Sequence, residues 1–340
     1  MFHKHIIATE FESNPNFANI AILLQRMQKL KKALLLLNMG GPNNIEEVGM
    51  FLRNMFADRN ILPMNPLLRR LVGSIIIKKR LHMAEDNYRL IGGKSPLTDI
   101  STALSEKLED AMGIPVRLAM RYVPPFADSA LSEFQKFGVE ELVLFAMYPH
   151  YSSTTTLSSV EDIKQRCDAM DYHPDIRVID PYYANPTYIK IQTDLIIRTL
   201  GDEDPKSYSL LLSAHGLPIS IIKAGDSYQK QVEVNAELIE EELKRRGIIF
   251  KNIKLVYQSK VGSAAWLEPN LVNVLRRAED LKVLIFPIAF TVDNSETIFE
   301  LDIENRTIAR KIGYEDYRVS KCPNDSGVFK EFINKVVQDI

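Results

Sequence analysis

The sequence predicts an α/β fold built on parallel sheets, and three observations support this prediction. From residue 33 onward, short apolar runs end in glycine-rich or polar loops, and a segment with helical periodicity follows each loop. Several runs are apolar throughout, as expected of strands that are buried on both faces. The chain has 340 residues, 46% of them hydrophobic, which suffices for two ordinary domains.

Strands and helices are expected to alternate along the chain. The predicted strands are 33–38, 115–120, 141–147, 176–180, 209–213, 254–258 and 282–287. The predicted longer helices are 125–137, 158–170, 229–247 and 296–312. Ligands of open parallel sheets bind beyond the carboxyl ends of the strands, so the loops that follow these strands are where we expect the chemistry.

Two closely packed domains are expected, because no tandem repeat or low-complexity linker divides the chain. We predict a first domain over 33–166 that residues 325–340 complete, and a second domain over 167–324. Residues 1–32 are expected to form an extension. Its apolar run at 20–24 is too short for a signal peptide and is followed by basic residues.

Composition and charge exclude several classes of protein. A formal net charge of −2 argues against a nucleic-acid-binding protein. No apolar run reaches the roughly 18 residues of a membrane-spanning helix. Cys167 and Cys322 are too few for a disulfide framework and lack the paired spacing of a zinc site. A cytoplasmic protein is therefore expected.

His215 follows the predicted strand 209–213 directly, within the motif Ser-Ala-His-Gly-Leu-Pro. A strand end would deliver its imidazole to the ligand crevice, where it could bind a metal or accept a proton near neutral pH. A histidine that only caps the following turn fits the local sequence equally well, and nothing local decides between these interpretations.

Four carboxylates in the region that follows strand 282–287 favour the chemical interpretation. Glu296, Glu300 and Glu304 recur at every fourth residue, which places them in one stripe of a helix, and Asp293 precedes them. A solvated acidic face is the ordinary explanation for such a stripe. Because apolar residues surround it, we interpret it instead as a path for a cation or for protons.

Other strand ends add groups that suit a large flat ligand with carboxylate edges. Arg121 follows an apolar strand and needs an anionic partner there. Tyrosine, serine and threonine side chains in these loops could equally satisfy loop backbones. No dinucleotide fingerprint, P-loop or nucleophile elbow is present, so nucleotide binding and acyl transfer are weak hypotheses.

From about residue 33 to the C-terminus, the sequence resembles the ferrochelatase family. Eight motifs carry the resemblance in series: LNMGGP (37–42), YRLIGGKSPL (88–97), MRYVPP (120–125), YPHYSSTTT (148–156), SAHGLP (213–218), GDSYQ (225–229), YQSKVG with the following WL (257–267) and FTVDNSETIFELDIE (290–304).

The resemblance implies two Rossmann-like lobes, each a parallel sheet flanked by helices, with a porphyrin cleft between them. The implied reaction is insertion of Fe²⁺ into protoporphyrin IX with loss of two pyrrole protons, which gives protohaem in the terminal step of haem biosynthesis. His215 and Glu296 would be the catalytic pair, facing each other across the macrocycle. These two and three further carboxylates would contact the metal: Glu300, Glu304 and Asp293. The implied porphyrin-binding positions are Met39, Arg80, Tyr88, Arg121, Tyr122, Tyr148, Gln258 and Ser259.

The sequence departs from common family patterns in several places. Asn294 stands where many relatives have histidine, and Met83 where some relatives have a basic residue. Met39 replaces the tyrosine of coproporphyrin-using relatives, which favours protoporphyrin IX. Two cysteines cannot hold the iron–sulfur cluster of animal-type members, so we expect no permanently bound cofactor, with Fe²⁺ as a substrate.

Alternatives stay open at this stage. The chain could be a coproporphyrin III ferrochelatase, another tetrapyrrole chelatase specific for cobalt or nickel, or a non-catalytic tetrapyrrole-binding protein. It is expected to be a monomer or a homodimer. Residues 61–81 combine apolar groups with a basic cluster, which fits peripheral contact with the inner face of a membrane or a helix packed on its own lobe.

Overall fold

Two four-stranded parallel sheets form the framework of the chain. The computed structural model describes residues 31–260 and 264–340, so the predicted extension lies outside the described residues except for its last two positions. The first sheet has the order β2-β1-β3-β4 and the second the order β6-β5-β7-β8. The strands are β1 (Lys32–Asn38), β2 (Val116–Met120), β3 (Glu141–Ala146), β4 (Asp175–Val178), β5 (Ser209–His215), β6 (Asn252–Gln258), β7 (Lys282–Phe286) and β8 (Asp316–Val319).

Helices connect the strands. They are α1 (Glu46–Ala57), α2 (Pro66–Leu90), α3 (Leu97–Met112), α4 (Ala127–Phe137), α5 (Ser158–Ala169), α6 (Pro186–Leu200), α7 (Ile219–Lys223), α8 (Tyr228–Arg245), α9 (Leu271–Arg277), α10 (Asn305–Ile312) and α11 (Gly327–Gln338). Two segments are π-helical, Ser153–Leu157 before α5 and Glu296–Glu304 before α10. All strand pairs within the two sheets are parallel, so the predicted fold class is confirmed.

The central strands are buried on both faces, as their apolar sequences require. In β1, Leu34 and Leu36 pack into one core cluster, whereas Leu35 packs into the cluster on the opposite face. Strand β5 alternates in the same way, because Leu210 and Leu212 face one cluster and Leu211 faces another. Each sheet is therefore covered by apolar side chains on both sides.

The predicted domain division at residue 166 is wrong. Strand β4 pairs with β3 and so belongs to the first sheet, although the sequence-based boundary assigned it to the second domain. This strand is short and largely exposed at the sheet edge, and nothing in its sequence indicates which sheet it joins. Helix α6, after β4, leads the chain into the second sheet.

Apolar side chains of α11 and α6 join the core of the first lobe. Phe329 and Phe332 of α11 and Tyr188 of α6 belong to the cluster that includes Leu34 and Val143. The polar contacts between the lobes include the bond between Nε2 of His150 and Oδ1 of Asn235, at 3.1 Å. The C-terminal helix thus returns to the first lobe after the chain has built the second.

Candidate active site

The last residue of β5 is His215, so the strand delivers its imidazole at the carboxyl edge of the second sheet. Its Nδ1 lies 2.6 Å from the carbonyl oxygen of Gly216. Because a carbonyl only accepts hydrogen bonds, Nδ1 carries the proton and the lone pair of a neutral ring lies on Nε2. A Cβ at Gly216 would lie 2.8 Å from the backbone oxygen of Gln258, so this close turn requires glycine.

The carboxylate of Glu296 lies next to the imidazole of His215. Its Oε1 lies 3.6 Å from Nε2 of His215, and each side chain is 34% exposed. The second carboxylate oxygen, Oε2, is buried and has no hydrogen-bond partner among the described residues. The pair thus offers a nitrogen lone pair and an uncompensated carboxylate at one position.

Sheet packing explains why these two residues meet. His215 lies on the same face of β5 as Leu211, because alternate residues of a strand share a face. Leu301 of the second π-helix is fully buried in the same cluster as Leu211. The hydroxyl of Tyr317 also donates to the carbonyl oxygen of Leu301, at 2.6 Å. The π-helix is therefore fixed over the sheet face to which His215 belongs.

The two side chains lie closer together than two groups on opposite sides of a macrocycle would. A flat ring needs roughly 3.5 Å of contact distance on each face, hence about 7 Å between groups that sandwich it. His215 and Glu296 lie only 3.6 Å apart. In this arrangement the space between the two groups is too small to hold a ring.

Glu300 is held by Ser259, the residue after β6. The backbone N–H of Ser259 donates to Oε1 of Glu300 at 2.8 Å, and its hydroxyl donates to Oε2. Burial and the neighbouring carboxylate of Glu296 raise the pKa of Glu300 to about 7, although the Ser259 bonds act in the opposite direction. Glu300 can therefore exchange a proton near neutral pH.

The predicted acidic stripe exists, but its winding differs from an α-helix. Residues Glu296–Glu304 are π-helical, a rare conformation that is often found at functional sites. Glu304 lies at the exposed end, and partial burial raises the pKa of its carboxyl group. The three carboxylates thus lead from the His215 contact toward solvent.

Asp293 does not belong to this stripe. Its Oδ1 accepts from Thr297 Oγ1 at 3.2 Å and its Oδ2 from Asn324 Nδ2 at 2.9 Å. The backbone N–H of Cys322 also donates to it, so its lone pairs stabilise the loop before the π-helix. Within residues 31–260 and 264–340, no three His, Cys, Asp or Glu side chains form a group that could hold one metal ion. The five predicted metal contacts are therefore not one coordination site.

Arg121 has its anionic partners inside the protein. Its guanidinium lies 3.2 Å from Asp162 and 3.5 Å from the buried carboxylate of Asp58. Tyr122 is fully buried, and its hydroxyl donates to Asp58 at 2.8 Å. The expectation that Tyr122 contacts the ligand is wrong for this structure, because its side chain is not accessible. The anionic partners that the sequence predicted for Arg121 are therefore carboxylates of the protein itself.

Other predicted binding residues have buried polar atoms that no described residue bonds. Gln258 is buried, and its Oε1 accepts from Ser213 at 2.8 Å. Its Nε2 and the hydroxyl of Tyr148 are buried without a partner among the described residues. The indole nitrogen of Trp266, which the site predictions did not include, is also buried and unpartnered in that part of the chain. A buried donor without a protein partner is normally bonded to a ligand or to an ordered water.

Tyr88, Arg80 and Met39 lie on the first lobe. The hydroxyl of Tyr88 donates to Ser295 Oγ at 3.1 Å, which links α2 to the residue before Glu296. Burial is the main cause that raises the pKa of Tyr88 to about 12. Arg80 is half-buried on α2 and makes no ion pair within the described residues, and Met39 follows β1 half-buried. Sequence reasoning missed Ser295, because a single serine carries no signal for such a contact.

Comparison with known proteins shows to which family the chain belongs. The family model described as Ferrochelatase matches residues 31–340, which is nearly the whole chain. The chain belongs to the ferrochelatase family. Ferrochelatases insert iron into a porphyrin and complete haem, so the chain is a metal-inserting enzyme of haem biosynthesis and its predicted class is confirmed.

Individual ferrochelatases agree with this assignment. The ferrochelatase of Wolinella succinogenes is 47% identical over 91% of this chain and 98% of its own length. Those of Sulfurimonas denitrificans and Helicobacter pylori strain P12 are 44% and 42% identical over 88% and 91% of this chain. The chain spans 96% and 94% of these two relatives.

Solved structures confirm the two-lobe fold of this ferrochelatase family member. SirB from Bacillus subtilis with Fe³⁺ matches with a TM-score of 0.54 at 12% identity, over 91% of this chain and 95% of that chain. The sirohydrochlorin chelatase SirB from Bacillus subtilis subspecies spizizenii, in complex with cobalt, gives 0.54 at 13% identity over 91% and 94%. At such low identity, these likenesses show the fold alone.

Proposed function

We propose that the chain inserts Fe²⁺ into protoporphyrin IX and that His215 and Glu296 perform the insertion from one face of the ring. The observation that carries the proposal is the 3.6 Å separation of His215 Nε2 and Glu296 Oε1. Bonds from nitrogen and carboxylate oxygen to a divalent zinc ion are ~2.0–2.2 Å, so one cation of similar size could bind both atoms.

Two protein ligands suit a metal that is a substrate. A cation held by only one imidazole and one carboxylate keeps several positions open for water and for porphyrin nitrogens. As Fe²⁺ passes to the four nitrogens, two N–H bonds break and two protons leave, so the overall charge balances. The metal-binding pair can accept protons once the cation has moved to the ring.

Glu300 and Glu304 are proposed to carry these protons away. The pKa of Glu300, raised to about 7 by burial and by Glu296, makes its carboxylate a proton acceptor that can also release the proton near neutral pH. Glu304 follows one helical turn later at the exposed end. A cation that approaches from solvent could use the same carboxylates in the opposite direction.

Substitution of the pair tests the proposal. We expect His215→Ala and Glu296→Gln each to lower the rate of haem formation by at least ~100-fold, the low end for general acid–base groups, while porphyrin affinity changes by less than about tenfold. Loss of porphyrin fluorescence measures the rate, and quenching on titration measures affinity. His173→Ala is the matched control, because His173 is 66% exposed and lies away from the cleft loops. Turnover above half the parent rate in either site variant would refute the proposal.

Substrate choice is the finer part of the proposal. Met39, in place of the tyrosine found in coproporphyrin-using relatives, favours protoporphyrin IX, and Arg80 is available for a propionate because it makes no ion pair within the described residues. A panel of protoporphyrin IX, coproporphyrin III and sirohydrochlorin with Fe²⁺, Co²⁺ and Ni²⁺ would measure the preference. A higher kcat/KM for coproporphyrin III would overturn the porphyrin assignment but not the role of the pair.

No resident cofactor is proposed. An iron–sulfur cluster is held by four cysteine ligands, and the chain contains two cysteines. Both are buried, and burial raises the pKa of the Cys167 thiol to about 11, which disfavours the thiolate that binds metals.

Helix α2 is proposed to contact an anionic membrane at the cytoplasmic face. Leu67, Leu71 and Ile75 recur at every fourth residue and are 84%, 60% and 49% exposed. The opposite side of the helix packs on α1 through Ile76, Ile77 and neighbours, so only the exposed stripe is available for contact with a membrane. Exposed basic residues flank the apolar stripe. No helix within the described residues is long and apolar enough to cross a membrane.

A further inference from the structure

The side chain of Asn294 holds the backbone from which Glu296 projects. Its Oδ1 accepts from the N–H of Glu296 at 2.8 Å and from the N–H of Thr297 at 3.3 Å. Its Nδ2 donates to the carbonyl oxygen of Val292 at 3.1 Å. Two N–H donors fix the orientation of the amide, because only the oxygen can accept them.

A reciprocal bond completes the contact. The N–H of Asn294 donates to Thr297 Oγ1 at 3.0 Å, so each residue bonds the backbone of the other. This is the pattern of a capping box, in which the cap and the residue three positions later satisfy each other's donors. Asn294 is also 9% exposed, hence well ordered by its surroundings.

The cap is in turn tied to the rest of the second lobe. Thr297 Oγ1 lies 3.2 Å from Asp293 Oδ1, and Asp293 is bonded to Asn324 and Cys322 in the loop after β8. Asn294 therefore connects Glu296 to a rigid part of the fold rather than to a free loop end.

We propose that Asn294 is the positioning residue for Glu296, holding its carboxylate within reach of His215 through the bond from the Glu296 N–H to Oδ1. The inference rests on the proposed role of Glu296. Since both polar atoms of the amide bond the backbone, Asn294 itself neither binds iron nor carries protons. Its part in the reaction is to fix where the metal-binding oxygen lies.

Variants of Asn294 and a matched cap test this inference. Asn185 is a suitable control, because its side chain accepts from Thr187 N–H at 2.9 Å at the start of α6, away from the pair. We expect Asn294→Ala to lower kcat for Fe²⁺ insertion at least ~10-fold with the KM for porphyrin within about twofold, and Asn294→Ser to recover most of kcat because serine also caps. Asn185→Ala should lower the melting temperature by a similar amount and leave kcat unchanged.

Two further comparisons keep the test decisive. If Asn294→Ala does not fold, Asn294→Gln replaces it in the test. Glutamine keeps the amide but places its oxygen one methylene too far to bond the Glu296 N–H. The kcat of Asn294→Gln should therefore fall, whereas that of Asn294→Ser should not. The inference is overturned if Asn294→Ala keeps kcat within about twofold, or if the serine variant is as impaired as the alanine variant. Full activity of Glu296→Gln would instead refute the proposed function itself.

Discussion

Replacing Glu300 by glutamine should stabilise the protein at neutral pH while it slows the reaction. Glutamine has nearly the shape of the glutamic acid side chain and its carbonyl oxygen can still accept from the Ser259 N–H, which lies 2.8 Å from Oε1 in the parent. The substitution removes a buried group that can become negatively charged beside Glu296. The change therefore isolates the electrostatic effect of the carboxylate.

The magnitude follows from the shift in pKa. Burial and the Glu296 carboxylate raise the pKa of Glu300 from 4.5 to about 7. A raised pKa means that the folded state holds the proton more tightly than the unfolded state, so this contribution to stability is fully present below pH ~4.5 and is lost as pH rises through ~7. At 1.36 kcal/mol per pH unit, the interval between 4.5 and about 7 corresponds to about 3 kcal/mol.

Denaturant unfolding at several pH values between about 4 and 8 measures this contribution. The free energy of unfolding of the parent should fall by about 3 kcal/mol more than that of Glu300→Gln across this range. Glu237→Gln, on the exposed face of α8, is the control and should follow the parent. Parallel pH profiles for the parent and Glu300→Gln would refute the reasoning, because the carboxyl group would then not be titrating near neutrality.

Three further outcomes follow from the structure. Glu304→Gln should lower the rate of haem formation far less than Glu296→Gln, since only the latter contacts His215; equal losses would point to a structural helix. Replacing Cys167 and Cys322 together by alanine should leave turnover largely intact. The purified parent protein should show no iron–sulfur absorption. A cluster spectrum in the parent that the double variant lacks would contradict this prediction. Changing the basic residues of α2 to glutamine should weaken binding to anionic vesicles, because each residue contributes ~1 kcal/mol in a salt-dependent way. Turnover on detergent-dispersed porphyrin should not slow. Vesicle co-sedimentation at low and high salt measures the binding, and unchanged binding would refute the membrane role. The four residues to change are Arg69, Arg70, Lys78 and Lys79.

The sequence predicted every strand with an apolar run on both faces but missed the edge strand β8. Strand β8 has the sequence Asp-Tyr-Arg-Val and is mostly half-buried at a sheet edge, so it lacks an apolar run. Strand β4 was found but assigned to the wrong sheet, because strand partners depend on how α5 and α6 pack rather than on local sequence. Edge strands are thus where local patterns contain the least information.

The sequence predicted His215 and Glu296 as neighbours in the candidate site, but it did not predict the arrangement around them. Strand-end positions indicated that His215 and the carboxylate stripe would lie near each other, and the family resemblance implied the pairing with Glu296, whose carboxylate lies 3.6 Å from the imidazole. Their short separation depends on how Leu301 packs on the face of β5, which is a tertiary contact. For Arg121, the sequence predicted that the buried charge needs an anionic partner. It could not predict that Asp58 and Asp162 are those partners, because both contacts are tertiary. The Asn-x-x-Thr spacing of residues 294–297 was a readable capping signal.

The incomplete ligand set and the raised pKa of Glu300 meet two requirements of the same reaction. A closed structural zinc site binds its metal with ~10–16 kcal/mol, and affinity of that order would retain iron that has to pass to the porphyrin. In the part of the chain that the structure describes, no third His, Cys, Asp or Glu completes the pair formed by His215 and Glu296. In the proposed reaction, the remaining donors would therefore come from water and the macrocycle. Those nitrogens become donors only when their protons leave, and the proposal assigns these protons to Glu300, whose pKa is raised to about 7. Buried carboxylates without compensating cations destabilise the fold, and the stabilisation expected from Glu300→Gln measures how much stability the site gives up for this chemistry.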